Sequence, residues 1–172
     1  MNATFPDGAV IIFGATGGIG RVVALEFAKA GCDVAIIWRS KSDVAAQLQS
    51  DIERLGRKAT VHRCDVTIDG EIETAIAAAA KAHGRLHSCV WGAGPLVEQV
   101  YLADTSKAQW RQAINVEVHG FFDVSQSIIH HMRAHGGGSI VHLGSAGDLS
   151  WPEKDVLSVA PKAANEGLVK AI

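Results

Sequence analysis

Ala9-Val-Ile-Ile-Phe13, a continuous apolar run, passes directly into Gly14-Ala-Thr-Gly-Gly-Ile-Gly20, and this joint constrains the fold more than any other stretch of the chain. The run reads as a buried strand. Beyond the glycines, Val22, Val23, Leu25 and Phe27 recur at helical spacing until Gly31 stops the helix. A strand joined to a helix by such a loop lets backbone N–H groups approach a pyrophosphate, whose charge is favoured at the positive end of the helix. Gly14 is expected to make the turn, Gly18 the close approach and Gly20 the contact between helix and sheet, with Thr16 and Ile19 in the same loop at the same ligand. On this reading Gly14→Val abolishes binding and leaves the fold intact, because the change lies in a loop. A loop rich in glycine for packing alone is the competing reading, and the strand–turn–helix setting counts against it.

The same alternation continues along the chain. Asp33–Trp38 is a second strand, and Asp43 to Leu55 a helix with Val44, Leu48, Ile52 and Leu55 on one face. Ala59 to Cys64 is the third strand, Glu71–His83 the third helix and Leu86–Trp91 the fourth strand. A long helix is expected from Ser106 to Ala134, with Trp110, Ile114, Val118, Phe121, Ile128 and Met132 as its stripe. Ser139 to Leu143 is the fifth strand, and a last helix begins at Val156. Near-continuous apolar strands alternating with helices specify an α/β fold with a doubly wound parallel sheet, Rossmann-like, in a single domain over residues 1–172. The fifth strand would then be an edge, and Ile140-Val-His-Leu143 is too apolar for one. The sheet is therefore expected to lack its last strands, as part of a longer chain, or to have that edge covered by a partner.

Composition narrows the class. With 16 Lys and Arg against 18 Asp and Glu the net charge is 16 − 18 = −2, and there is no basic block, which argues against a nucleic-acid or membrane-surface partner. Hydrophobic residues at 48% can fill a core, yet no run is long enough to span a membrane. The first eight residues carry no cation ahead of an apolar stretch, so no secretory leader is expected and a cytoplasmic location is. Cys32, Cys64 and Cys89 are odd in number, lack a CxxC spacing and read as small buried hydrophobes.

The end of the second strand bears on the ligand. An Asp or Glu there would hold the ribose hydroxyls of NAD, whereas a 2′-phosphate needs a cation. The chain has Trp38-Arg39-Ser40-Lys41 and no acid. Arg39 can fork onto phosphate, with Ser40 as a further donor, so NADP(H) is favoured over NAD(H).

These residues together resemble the short-chain dehydrogenase/reductase family over nearly the whole chain. The glycine loop is similar to the family's TGxxxGxG, with Phe13 in place of Thr. Asp65-Val66 is similar to the pair that holds the adenine, and Trp91-Gly-Ala-Gly94 to the NNAG segment, with Ala93 and Gly94 kept. By the same resemblance Asn115 takes the place of the catalytic Asn in the long helix, and Gly138-Ser-Ile-Val-His-Leu-Gly-Ser145 delivers the catalytic Ser. Lys162 is the Lys of the family's Tyr and Lys pair, which also holds the nicotinamide ribose. The Tyr is replaced by Ser158, and Tyr101, the chain's one tyrosine, lies elsewhere.

The resemblance implies an NADP(H)-dependent oxidoreductase acting on a small carbonyl or alcohol, with Asn115, Ser145, Ser158 and Lys162 at the reacting centre and Ser158 an altered proton donor. The alternative is a catalytically impaired nucleotide-binding protein serving as a partner subunit or cofactor sensor. A homodimer or homotetramer is implied, with the long helix and the last helix at the interface. No metal is expected. His130, His131 and His135 sit at a helix end without a carboxylate or thiol alongside. His142 is read as a strand residue, and Asp148, Glu153 and Asp155 as a polar loop before Ser158.

Overall fold

The computed structural model describes residues 5–172, apart from the side chain of Asp148. Residues 1–4, the beginning of the stretch read as lacking a leader, lie outside the described residues. Strands β1 (Ala9–Phe13), β2 (Asp33–Trp38), β3 (Ala59–Arg63), β4 (Leu86–Trp91) and β5 (Ser139–His142) form one sheet of order β3-β2-β1-β4-β5, with every pairing parallel. Helices α1 (Gly18–Lys29), α2 (Ser42–Arg54) and α3 (Glu71–His83) are the first three crossovers. Then come α4 (Lys107–Ile114), α5 (Gly120–Ala134), a short α6 (Gly147–Ser150) and α7 (Val156–Ala171).

Alternation along the strands builds two cores. Ile11, Phe13, Ala35, Ile37 and Trp91 face α3 and α5, which contribute Ile72, Ile76, Phe121, Val124 and Ile128. Val10, Ile12, Val34 and Ile36 face the other way, onto Ala24, Ala28, Leu48 and Ile52 of α1 and α2. Each large apolar side chain buried this way contributes about 1.5–3 kcal/mol, which is why β1 and β2, covered on both faces, need no polar alternation.

The expected long helix is interrupted. Asn115–His119 forms a single π-helical turn between α4 and α5, with Ser106 capping α4 through a reciprocal pair of bonds with Gln109. The expected stripe divides accordingly. Phe121, Ile128 and Met132 are buried against the sheet, while Trp110 is exposed at 38%. Short α6 follows β5, where the sequence predicts only a polar loop. At the edge, β5 alternates exposed and half-buried residues, and Val141 faces outward. The three cysteines are free and buried, and burial pushes their thiols up to about 11 for Cys32 and about 12 for Cys64 and Cys89.

Candidate active site

The chain leaves β1 for β2 on one side and β4 for β5 on the other, so a crevice opens between the carboxyl ends of β1 and β4. Its floor is backbone. Gly92 donates its N–H to the Phe13 carbonyl at 3.0 Å, and Gly14, at φ +79°, turns the chain directly over the Gly92 carbonyl. A Cβ at Gly14 would collide with that carbonyl, and one at Gly20 with the carbonyl of Gly14. Both glycines are therefore fixed by packing of backbone on backbone. Gly18 differs: nothing in the protein lies within 4 Å of where its Cβ would be. The α1 N-terminus has no side-chain cap and no acid in its first turn, so its N–H groups face the crevice unpaired by side chains.

A groove of about 190 Å³ runs from this loop, lined by Gly14, Thr16, Arg39, Ser40, Lys41, Val66, Ala93 and Gly94 among others. Exposed Arg39 and Ser40 stand at its far end, after β2. Ile19, in the first turn of α1, is exposed at 68%. Asp65 lies between Cys64 and Val66, which line the groove. Its Oδ1 accepts the backbone N–H of Thr67 at 3.1 Å and the hydroxyl of Thr67 at 2.7 Å. Burial works against the Asp65 carboxylate, but those two bonds and the nearby Arg39 and Arg63 hold its pKa below the usual value. Val66 takes the groove wall instead.

Around the reacting end the residues expected together are not all together. Lys162, on α7, donates from Nζ to Oε1 of Glu117 at 2.6 Å. Glu117 lies in the π-helical turn with its side chain 3% exposed, and its Oε2 accepts a long 3.4 Å bond from the Trp91 indole. Asn165, one turn beyond Lys162, donates to the Glu117 carbonyl at 3.0 Å and lies 3.2 Å from Nε2 of His142. Asn115, expected at this centre, is exposed at the start of the turn and lines a hollow with Arg39, Thr67, Trp110 and His119. The sequence reading missed Glu117, though a signal existed: it lies four residues before Phe121, at a core-facing helical position where a lone acid needs a partner.

Ser145 follows β5 and accepts the backbone N–H of Gly147 through Oγ at 3.0 Å. Gly147 packs against Val159, which draws the Ser145 loop onto the first turn of α7 beside half-buried Ser158. Pro161 lies inside α7, where it lacks the N–H that would bond the Leu157 carbonyl. Tyr101 lies away from Ser158 in sequence, its ring 4.6 Å beneath the Lys154 ammonium, which joins the loop after β4 to the loop before α7. His142 meets Phe121 in a tilted ring pair with centroids 5.0 Å apart, and His131 accepts the Leu86 N–H at 3.0 Å. The side chain of Asp148, read as part of the polar loop, is outside the described residues.

Comparison with known proteins gives the class. The family model for short chain dehydrogenases matches residues 8–172. The chain is 30% identical over 164 residues to a 3-oxoacyl-acyl-carrier-protein reductase of Aggregatibacter actinomycetemcomitans, covering 95% of this chain and 67% of that one. It is 33% identical over 144 residues to the 7alpha-hydroxysteroid dehydrogenase of Escherichia coli K12, covering 84% and 55% respectively. Among solved structures, acetoin dehydrogenase from Enterobacter cloacae superposes with a TM-score of 0.87 at 26% identity over 98% of this chain and 67% of that one. An NAD+-bound xylitol dehydrogenase shares the fold with a TM-score of 0.93 at 20% identity, over 98% of this chain and 65% of that one. The protein belongs to the short-chain dehydrogenase family. It spans about two thirds or less of the length of these relatives. Among the described residues no helix is long and apolar enough to cross a membrane.

Proposed function

We propose that the protein is an NADP(H)-dependent oxidoreductase of the short-chain dehydrogenase type, acting on a small carbonyl or alcohol. The observation that carries this reading is the continuous groove from the open α1 N-terminus to Arg39, Ser40 and Lys41. The residues fit a dinucleotide. Space is left at Gly18, donors are free at the start of α1, and cations stand at the end of β2. When bound, the cofactor supplies or takes the hydride.

The chain's own residues do the rest. The N–H groups of Gly18, Ile19 and Gly20, with the hydroxyl of Thr16, would receive the pyrophosphate, and Arg39 with Ser40 the 2′-phosphate. Val66 and Asp65 border the adenine end, Ala93 and Gly94 the ribose nearest the reaction. Ser145 would donate a hydrogen bond to the substrate oxygen, and Lys162 would hold the nicotinamide ribose. Ser158 stands where a phenol would exchange the proton, and its hydroxyl reaches the substrate only through a water. A homodimer or homotetramer and a cytoplasmic location complete the proposal. The test is loss of NADPH absorbance with a panel of diketones and aromatic ketones. Turnover that NADH does not support equally well is expected. No turnover of any carbonyl by a protein that binds NADPH would overturn the enzymatic reading.

A further inference from the structure

The reading above rests on Lys162 as the cation of the reacting centre, yet the structure gives that cation a counter-ion that hydride transfer does not require. A carboxylate removed from water is costly unless paired, and Glu117 meets that cost with Lys162 at 2.6 Å, supported by the Trp91 indole at 3.4 Å. A Cβ at Gly94 would run into Oε1 of Glu117, so a side chain there would push on the paired carboxylate. Asn165 fixes the Glu117 backbone from the same helix that carries Lys162. The ammonium is thus held against the end of β4 by a rigid set of contacts from three elements.

A cation lowers the pKa of a nearby hydroxyl because it favours the anion. An ammonium with a carboxylate in contact is a neutral pair, and its field one helical turn away is that of a dipole. Ser158 is one turn from Lys162 on α7. We propose that Glu117 is a positioning residue that holds Lys162 as a neutral ion pair, so that the ammonium lends no net charge to a hydroxyl at position 158. This deepens the oxidoreductase reading, since it says why a phenol restored at that position alone would not be activated.

Tyrosine titration tests the proposal without cofactor or substrate. In a Tyr101→Phe background, which removes the chain's one tyrosine, Ser158→Tyr introduces a single phenol whose tyrosinate absorbance can be followed with pH. With Glu117 present it is expected to titrate at the ordinary value of about 10. With Glu117→Gln added, the freed ammonium should lower it by about 1–3 units. The same midpoint in both proteins, or a depressed one with Glu117 in place, overturns the proposal. Should the phenol unfold α7, Glu117→Gln alone gives an answer through amine labelling of Lys162 at one fixed pH, followed by mass spectrometry. The labelling rate should rise several-fold once the carboxylate no longer holds the amine, and Glu117→Asp should restore part of the protection. An unchanged rate overturns the proposal. Neither measurement uses NADPH or a carbonyl, so a failure of the oxidoreductase reading would show in turnover and leave both unmoved.

Discussion

Gly14 lies so close above the carbonyl of Gly92 that no side chain fits between them, and its φ of +79° disfavours any residue with a Cβ. The loop after β1 is therefore part of the sheet's own packing, and the expectation that Gly14→Val spares the fold does not hold. Gly18 separates the two roles. Gly18→Val should leave the far-ultraviolet circular dichroism spectrum unchanged and abolish NADPH binding, because the protein leaves that space open and the proposed cofactor would enter it. Gly14→Val should lower the thermal midpoint as well. Retained NADPH binding in folded Gly18→Val would show that the glycines serve packing alone.

Removing Lys162 leaves Glu117 buried and unpaired. Lys162→Met should destabilise the protein by about 3 kcal/mol, the lower end of the range for breaking a buried pair, because the Lys side chain is still 22% exposed. Glu117→Gln keeps the shape and leaves the better-solvated partner charged, so it should cost less. Urea unfolding of the two variants compares them directly; equal losses would mean that the carboxylate draws its stability from elsewhere.

Acid should weaken the fold before any ordinary carboxylate titrates. Burial lowers the pKa of His62, His83, His87 and His131 below the usual 6.5. The unfolded chain then binds more protons than the folded one just below pH 6.5, so this stability is complete above about 6.5 and declines as pH falls toward the folded-state values. His131 shows why: Nε2 accepts the Leu86 N–H and cannot do so when protonated. The urea midpoint should drop between about pH 7.5 and 5.5. His131→Gln, whose amide oxygen can take the same N–H without titrating, should reduce the drop. A midpoint that rises on acidification would contradict the assignment.

Much of this was legible in the sequence because it depends on near-neighbour patterning. Ala9–Phe13, Asp33–Trp38, Glu71–His83 and Leu86–Trp91 have the bounds that their apolar periods and flanking glycines imply. The π-helical turn was not legible, since one widened turn leaves no local signature, and with it went the placement of Asn115. The widened turn exposes Asn115 and turns Val116 and Glu117 inward, which counting along an ideal helix does not show. The Lys162–Glu117 pair spans 45 positions, and only the packing of α7 against the turn brings it about. The engagement of the Asp65 carboxylate by Thr67, two residues away, is a local turn contact that apolar periodicity does not report.

Isothermal titration of NADPH and NADH into the same protein tests the central claim most directly. On the proposed assignment Arg39 would offer a forked cation to the 2′-phosphate, and a hydrogen bond to a charged group is worth about 1.5–3 kcal/mol. NADPH should therefore bind about 10- to 150-fold more tightly than NADH, and Arg39→Ala should remove that preference while leaving NADH binding nearly unchanged. Equal affinities for the two dinucleotides in the parent protein, or a preference that survives Arg39→Ala, would contradict it.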